Sequence, residues 1–431
     1  MSENNFVFDT IIIGGGASGM MAGIKASQNG KVLIIEKNKS LGEKLKISGG
    51  GRCNIFNKEE DLKKLLANYG DFSKYLYSPF SRFGVYETEE FFKNLGIEIK
   101  VEDRKRAFPK SEKALDVFNA LYEELVKSKV EIKTNCAVTE IIVAPDKNVS
   151  GIKVKGDDKI YTAKKYILST GGYSHPETGS TGDGFKFLKS LDLGIKIVEP
   201  TPSLVPVAVS NEWVKKLTGK TIENIKLTFT VDGIKKKVLR GQNRILFTHF
   251  GLSGPTILNN SKYISDWLKE GEVQLSIDMF PEKDESELNK FLLEIFENNK
   301  NKIFKNILNE IYPGNILEEI LLDAGSPPFE GGVRGGYLLS KQVNDVRVDE
   351  RKYLINFLKN LKINITSLMG FDKAIIADGG VEVDEVDFAN MSLKKIKNLF
   401  VTGDILNITR PSGGCSLQLC WTTGFIAGSD L

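Results

Sequence analysis

The chain has only two histidines, His175 and His249, with four cysteines and three tryptophans in 431 residues. Neither histidine stands at ligand spacing from a cysteine, which argues against the common zinc arrangements, so no metal site is expected. Cys53, Cys136, Cys415 and Cys420 are scattered and form no Cys-x-x-Cys pair. That pattern speaks against a disulfide framework and for reduced thiols in a cytoplasmic protein. No apolar run approaches the roughly 20 residues that cross a bilayer. The opening MSENNFVFD places no basic segment ahead of an apolar one, so neither a membrane partner nor a signal peptide is expected. The charges nearly cancel, 59 basic against 56 acidic residues, and the formal net charge of +3 is too small to predict nucleic-acid binding by itself. A hydrophobic share of 41% and a charged share of 27% suit an ordinary globular protein, long enough for two or three domains. No oligomeric state follows from these features.

What is present starts at Phe8. The run FDTIII leads into Gly14-Gly15-Gly16-Ala17-Ser18-Gly19, and Glu36 closes the next apolar run, KVLII. Strand, glycine turn, helix, strand and acid in this order bind the pyrophosphate and ribose of a dinucleotide. Gly14 allows the tight turn, Gly16 lets main chain approach the diphosphate, and Gly19 lets the helix pack on the sheet. The helix start offers free N–H groups to the phosphates. Glu36 lies 22 residues after Gly14, close to the spacing of about 20 for the acid that accepts from ribose hydroxyls.

Residues 1–197 alternate strand and helix, with KALDVFNALYEELVKS as the longest amphipathic helix before antiparallel-looking strands between 130 and 169. From about 200 to 280 the texture is that of short period-two strands, SLVPVAV, NIKLTFTV, KKKVLR, RILFT and EVQLSID, with a brief helix at PTILNNSKYI. Residues 283–324 read as helical. Residues 325–336, GSPPFEGGVRGG, read as an exposed loop because five glycines and two prolines exclude a packed element. A helix near DERKYLINFLKNL leads to KNLFVTGD and GGCSLQLCWTTGFIAG, again a strand, a glycine turn and a helix. Asp404 directly follows that strand, where a carboxylate could bond a ribitol or ribose hydroxyl. Gly413-Gly414-Cys415 would open a helix whose positive end stabilises charge on the cofactor. A third glycine cluster, Ser48-Gly49-Gly50-Gly51-Arg52-Cys53-Asn54, lets main chain pass close to a flat ligand or forms a flexible loop.

Together GGGASG, EKNKSLGEKLKISGGGRCNIFN, RAFPKSEKA, STGGYSHPETGSTGDG, LFTHFGLSGP, AIIADGGV and GDILNITRPSGGCSLQ resemble the BaiN/YhiN-like family of FAD-binding oxidoreductases over nearly the whole chain. The resemblance implies an α/β fold: a discontinuous Rossmann-type FAD-binding domain from both chain ends, 1–197 and 355–431. It implies an inserted β-barrel-like domain, 198–282 and 337–354, and a small helical domain, 283–324. It assigns Gly14, Gly16, Ala17, Ser18 and Gly19 to the diphosphate, Glu36 with Lys37 to the adenosine ribose, and Val138 to adenine through its backbone. Thr170 and Gly171 would lie by the diphosphate. Lys44, Gly50, Gly51 and Arg52 would lie near the flavin, and Asp404, Gly414, Cys415, Leu417 and Gln418 would complete the ribitol and isoalloxazine site. The family more often has Glu-Val-Leu-Asp in place of Asp404-Ile405-Leu406-Asn407 and an aromatic-Asn pair in place of Cys415-Ser416.

No second complete GxGxxG follows a strand, so NAD(P)H would dock transiently against the flavin rather than in its own domain. The resemblance implies NAD(P)H-driven reduction of an activated C=C bond, in a small molecule of bile-acid enone type or in uracil of ribosomal RNA. Catalytic candidates are Cys53, acidified by Arg52, and His249; the bland readings are a buried small residue and a structural histidine. Tyr173 and His175 read mainly as packing and turn residues. Arg104, Arg106, Lys110 and Lys113 form a basic cluster, either a solvated face or a phosphate site. Rival functions are an amine or aminoketone oxidase using O2, and an RNA-binding module in which FAD is structural.

Overall fold

The computed structural model describes residues 7–323 and 335–429. The chain divides into two compact units, Met1–Ser203 with Phe371–Leu431, and Leu204–Gly370.

The first unit is built on a parallel sheet. Its strands are β1 (Phe8–Ile13), β2 (Val32–Ile35), β3 (Glu131–Lys133), β4 (Ala163–Leu168) and β5 (Ile396–Val401). They lie in the order β3-β2-β1-β4-β5, with two short antiparallel strands, Val386–Asp387 and Ser392–Leu393, beyond β5. A strand covered on both faces reads as a continuous apolar run. FDTIII and VLII are such runs, and Ile11, Ile12, Leu33 and Ile34 are fully buried. Two helices cover this sheet near the glycine turns: α1 (Ala17–Ala26) and α2 (Cys415–Gly428). α2 is buried almost all round, so it has no polar face. It packs tightly on α1 through glycine. A Cβ at Gly424 would lie 2.4 Å from the Ser18 carbonyl oxygen, and one at Gly428 2.5 Å from that of Ala22.

The stretch expected as consecutive antiparallel strands is divided between two sheets. Only Val138–Val143, Val149–Val154 and Asp157–Tyr161 form an antiparallel sheet of their own. β3 and β4 join the parallel sheet beside β2 and β1. For β4 the reason is visible in the sequence: Tyr166, Ile167 and Leu168 are all fully buried, as only an interior strand allows.

The second unit is a closed barrel. Its strands run Val207–Val209, Gly251–Ser253, Ile234–Thr248, Thr221–Val231, Val273–Asp278 and Leu361–Leu368, and the last pairs back onto the first. KKKVLR and RILFT are one continuous strand, and the helix at PTILNNSKYI extends over Pro255–Glu270. Leu361–Leu368 alternates buried and exposed, with Leu361, Ile363 and Ile365 inside, and it closes the barrel. The chain therefore returns to the first unit at Phe371, not at residue 355, and leaves it after Ser203, not at 197. The segment 337–354 adds no strand; its main element is the helix Val348–Lys359. Helix Glu285–Asn298 shares one core with the barrel through Leu288, Leu292 and Phe296, so 283–324 is not packed as a separate domain. The loop expected at 325–336 lies outside the described residues, apart from its last two positions, which open the helix Gly335–Leu339.

Candidate cofactor site

Of the cofactor residues expected from the sequence, Gly14, Glu36, Thr170 and Asp404 follow the carboxyl ends of β1, β2, β4 and β5, within the first unit. β1 and β4 are adjacent, and the strand order reverses there, which is where open α/β sheets bind ligands. Gly14 ends β1 with φ +101, and a Cβ on it would meet the Ser169 carbonyl oxygen at 2.6 Å. Gly19 faces the turn itself: its Cβ would lie 2.0 Å from the Gly14 oxygen. Gly16 is different, because a Cβ there would have nothing within 4 Å. It caps α1 without a side-chain bond, ahead of Ala17 and Ser18. The first N–H groups of a helix have no partner within it and favour an anion. Across the turn, the Thr170 hydroxyl is buried with no partner among protein atoms, next to Gly171 in the left-handed region at φ +70. An open glycine face, a bare helix start and an orphaned hydroxyl together fit a diphosphate.

Glu36 is 8% exposed at the end of β2. Its carboxylate accepts from the Gly15 N–H at 2.8 Å and the Asn38 N–H at 2.9 Å, which leaves lone pairs for a ribose hydroxyl. Lys37, expected beside it on the ribose, instead pairs with Asp183 at 2.6 Å and donates to the Thr181 hydroxyl. The pair ties the end of β2 to the segment after β4. Val138 opens an antiparallel strand opposite Val154.

The other wall carries charge. Asp404 follows β5; Lys44 of the short helix Glu43–Ile47 reaches it at 3.4 Å and donates to the Ser174 hydroxyl at 3.0 Å. A residue missed by the sequence reading completes this cluster. Arg410, with 1% of its side chain exposed, pairs with Asp404 and donates to Ser416 at 3.1 Å and to the Ile408 carbonyl at 2.7 Å. Burial alone would raise the Asp404 carboxyl, but Arg410 and Lys44 outweigh it and hold the group below the ordinary 3.8. A depressed carboxyl contributes stability above its ordinary value and loses that contribution as pH falls through the depressed one. Asp404→Asn should therefore lower stability near neutrality and flatten the acid limb below about pH 4, read by urea unfolding across pH.

Gly49, Gly50 and Gly51 all have positive φ, and Gly50 and Gly51 face open space. Beyond them the expectation for catalysis changes. The Arg52 guanidinium is taken by Glu102 at 2.6 Å and Glu112 at 2.9 Å, and it stacks 4.1 Å from the Phe108 ring. Cys53 is fully buried, and burial pushes its thiol up to about 12 against an opposing hydrogen bond with Ser48. Arg52 does not acidify it, because carboxylates distant in sequence take the charge. Burial likewise pushes the Cys415 thiol up to about 11 and that of Cys420 to about 12. Of the four cysteines only Cys136 is partly exposed. Iodoacetamide on the native protein should therefore label Cys136 alone, as peptide mass mapping would read; fast labelling of Cys53 would contradict this placement.

Gly414 opens α2 with φ +100 where a Cβ would lie 2.3 Å from the Phe56 carbonyl carbon, and the Tyr69 hydroxyl donates to the Cys415 carbonyl at 2.9 Å. Leu417 is partly buried against the core. Gln418, expected on the isoalloxazine, is fully buried elsewhere: its amide nitrogen donates to Thr88 at 2.8 Å and Thr422 at 3.0 Å. One turn into the helix, it points back towards the helix Val85–Asn94. His249 belongs to the second unit, on the exposed turn after Thr248, with its ring 4.8 Å from that of Phe250. Tyr173 packs between Phe185 and Phe371, and His175 bonds Glu177 at 2.8 Å. In the basic cluster, Arg106 pairs with Glu102 and Lys110 with Glu98, as on a solvated face. Among the described residues no His, Cys, Asp and Glu grouping could hold a metal, and no helix is long and apolar enough to cross a membrane.

The profile of the HI0933-like protein Rossmann domain matches residues 8–430. The chain is 27% identical over 421 residues to the 3-dehydro-bile acid delta(4,6)-reductase of Clostridium scindens, covering 97% of each. It is 27% identical over 425 residues to the ribosomal RNA dihydrouridine synthase of Escherichia coli, covering 98% of each. The open conformation of a flavocytochrome c3 fumarate reductase shares the fold at a TM-score of 0.54, with 15% identity over 98% of this chain and 78% of the other. The glycine turn, the strand order and these likenesses agree: the chain belongs to the HI0933-like Rossmann family of FAD-dependent oxidoreductases.

Proposed function

We propose that the protein is a reductase that uses NAD(P)H as transient electron donor to saturate an activated C=C bond. The observation that carries this reading is the end-to-end likeness to two proteins whose names both denote such a step, one on a bile-acid skeleton and one on uracil in ribosomal RNA. Bound FAD would supply the hydride chemistry. The chain's own residues bind and orient it. α1 and Thr170 would take the diphosphate and Glu36 the ribose. Asp404 would accept from the ribitol, while the amides that open α2 would favour negative charge at the ring edge. Cys53, with no exposed surface, is not proposed as the proton source. His249 keeps an exposed imidazole in the second unit.

Anaerobic stopped-flow reduction of the FAD-loaded protein tests the reading, followed by mixing with a bile-acid enone or with unmodified ribosomal RNA. Fast reduction by NADPH or NADH, then reoxidation by one of those acceptors, supports it. Reduction by amines only, with reoxidation by O2, would establish an oxidase instead. Flavin that resists reduction while ribosomal RNA binds with a steep salt dependence would mark an RNA-binding module.

A further inference from the structure

The Arg410 guanidinium is a buried charge that the sequence does not advertise. A buried charge persists only where its partners compensate the loss of water. Here three partners do so, and they lie on two segments. Ile408 and Asp404 belong to the loop after β5, and Ser416 belongs to the first turn of α2. Through Asp404 the cluster extends to Lys44, and from Lys44 to Ser174 in the loop after β4. The Asp378 carboxylate also faces the guanidinium electrostatically, and its Oδ1 is buried with no partner among protein atoms. The arrangement uses the planar fork of arginine, since its three nitrogens serve three acceptors set at fixed angles. A lysine ammonium could replace the charge but not the fork.

We infer that Arg410 is a positioning residue of the cofactor site: it fixes the Asp404 carboxylate and adds its positive charge to the amino end of α2. This rests on the reading of that wall as the ribitol and isoalloxazine side of an FAD site. The charge on the wall is thereby balanced rather than acidic, with Lys44 and Arg410 set against Asp404 and Asp378. Removing Arg410 leaves two carboxylates facing one ammonium. A flavin gains negative charge on reduction, so that change disfavours the reduced form and lowers the reduction potential. It also frees Asp404 to turn away from a ribitol hydroxyl.

The test compares Arg410→Met and Arg410→Lys with the wild-type holoprotein. Three quantities are read: the FAD dissociation constant by equilibrium dialysis, the flavin midpoint potential against an indicator dye, and the melting temperature of the apoprotein. Arg410→Met should bind FAD at least tenfold more weakly and show a lower potential. Arg410→Lys should recover the potential more fully than the affinity, because it restores charge without the fork. Wild-type affinity and potential in the folded fraction of Arg410→Met, with only the melting temperature lowered, would overturn the inference. Should Arg410→Met fail to fold, Ser416→Ala removes a single bond and leaves the Asp404 pair intact. A smaller loss of FAD affinity is then expected, and an unchanged value would overturn the inference. A wild-type chain that takes up no FAD would instead defeat the site reading itself.

Discussion

Gly16→Val is expected to give a protein that is folded and colourless. Gly16 has φ −75, which a branched residue can adopt, and no protein atom lies within 4 Å of the position a Cβ would take. The substitution therefore meets no protein wall. Its cost to the apoprotein is that of an unsuitable helix cap, about 1 kcal/mol. The added methyl groups enter the space in front of the first turn of α1, where the diphosphate would make its bonds. Binding there depends on close approach of backbone N–H groups, so uptake of FAD should fall by at least a hundredfold, roughly 2.7 kcal/mol. Gly14→Val is the instructive contrast. Its φ of +101 and the Ser169 carbonyl at 2.6 Å put the strain inside the protein, and both fold and colour should be lost. Visible absorbance together with the apoprotein melting temperature separates the two. Normal flavin retention in Gly16→Val would remove the diphosphate from this turn.

Gly424→Val is expected to unfold the first unit at much lower denaturant than wild type. The position is mid-helix in α2, and its Cβ would fall 2.4 Å from the Ser18 carbonyl oxygen and 3.2 Å from the Met21 side chain. The closer atom is backbone, so no rotamer change relieves the contact. α1 and α2 would have to separate, and α1 carries the glycine turn at its start. Overpacking of this kind costs roughly 3 kcal/mol. FAD affinity and stability should fall together here, whereas in Gly16→Val they part. Urea unfolding followed by tryptophan fluorescence checks it, since Trp421 is buried in α2 with its indole N–H on the Ile55 carbonyl. A midpoint equal to wild type would mean that the two helices do not cross as closely as described.

The glycine turn was legible because its demands are local. Gly14, Gly16 and Gly19 act within one strand–turn–helix unit, and the spacing of Glu36 follows from the length of that unit. The charged side of the site was less legible for the opposite reason. Arg52 looked like a cation beside Cys53, but its carboxylates, Glu102 and Glu112, stand 50 and 60 residues away. Nothing near Arg52 in sequence announces them. Arg410 sits before a proline in a loop, where basic residues are usually solvated, so nothing local marks it as buried. Its one sequence-level signal was symmetry: Asp404 and Ser416 lie six residues on either side of it. The family resemblance places Gln418 at the ring. The helix period turns it from the pocket towards Thr88 instead. In the second unit the strand texture was clear. The boundary was not, because the helix Val348–Lys359 precedes LKINITSL, the strand that closes the barrel.

On the reading proposed above, one FAD is held by the first unit, with its diphosphate at the start of α1. The most direct measurement is the amount of flavin released per chain when the protein, purified without added detergent or denaturant, is precipitated with acid. One FAD per chain is the expected result, either as isolated or after incubation with FAD and removal of the excess. A folded chain that releases no flavin and takes none up on incubation would contradict the account.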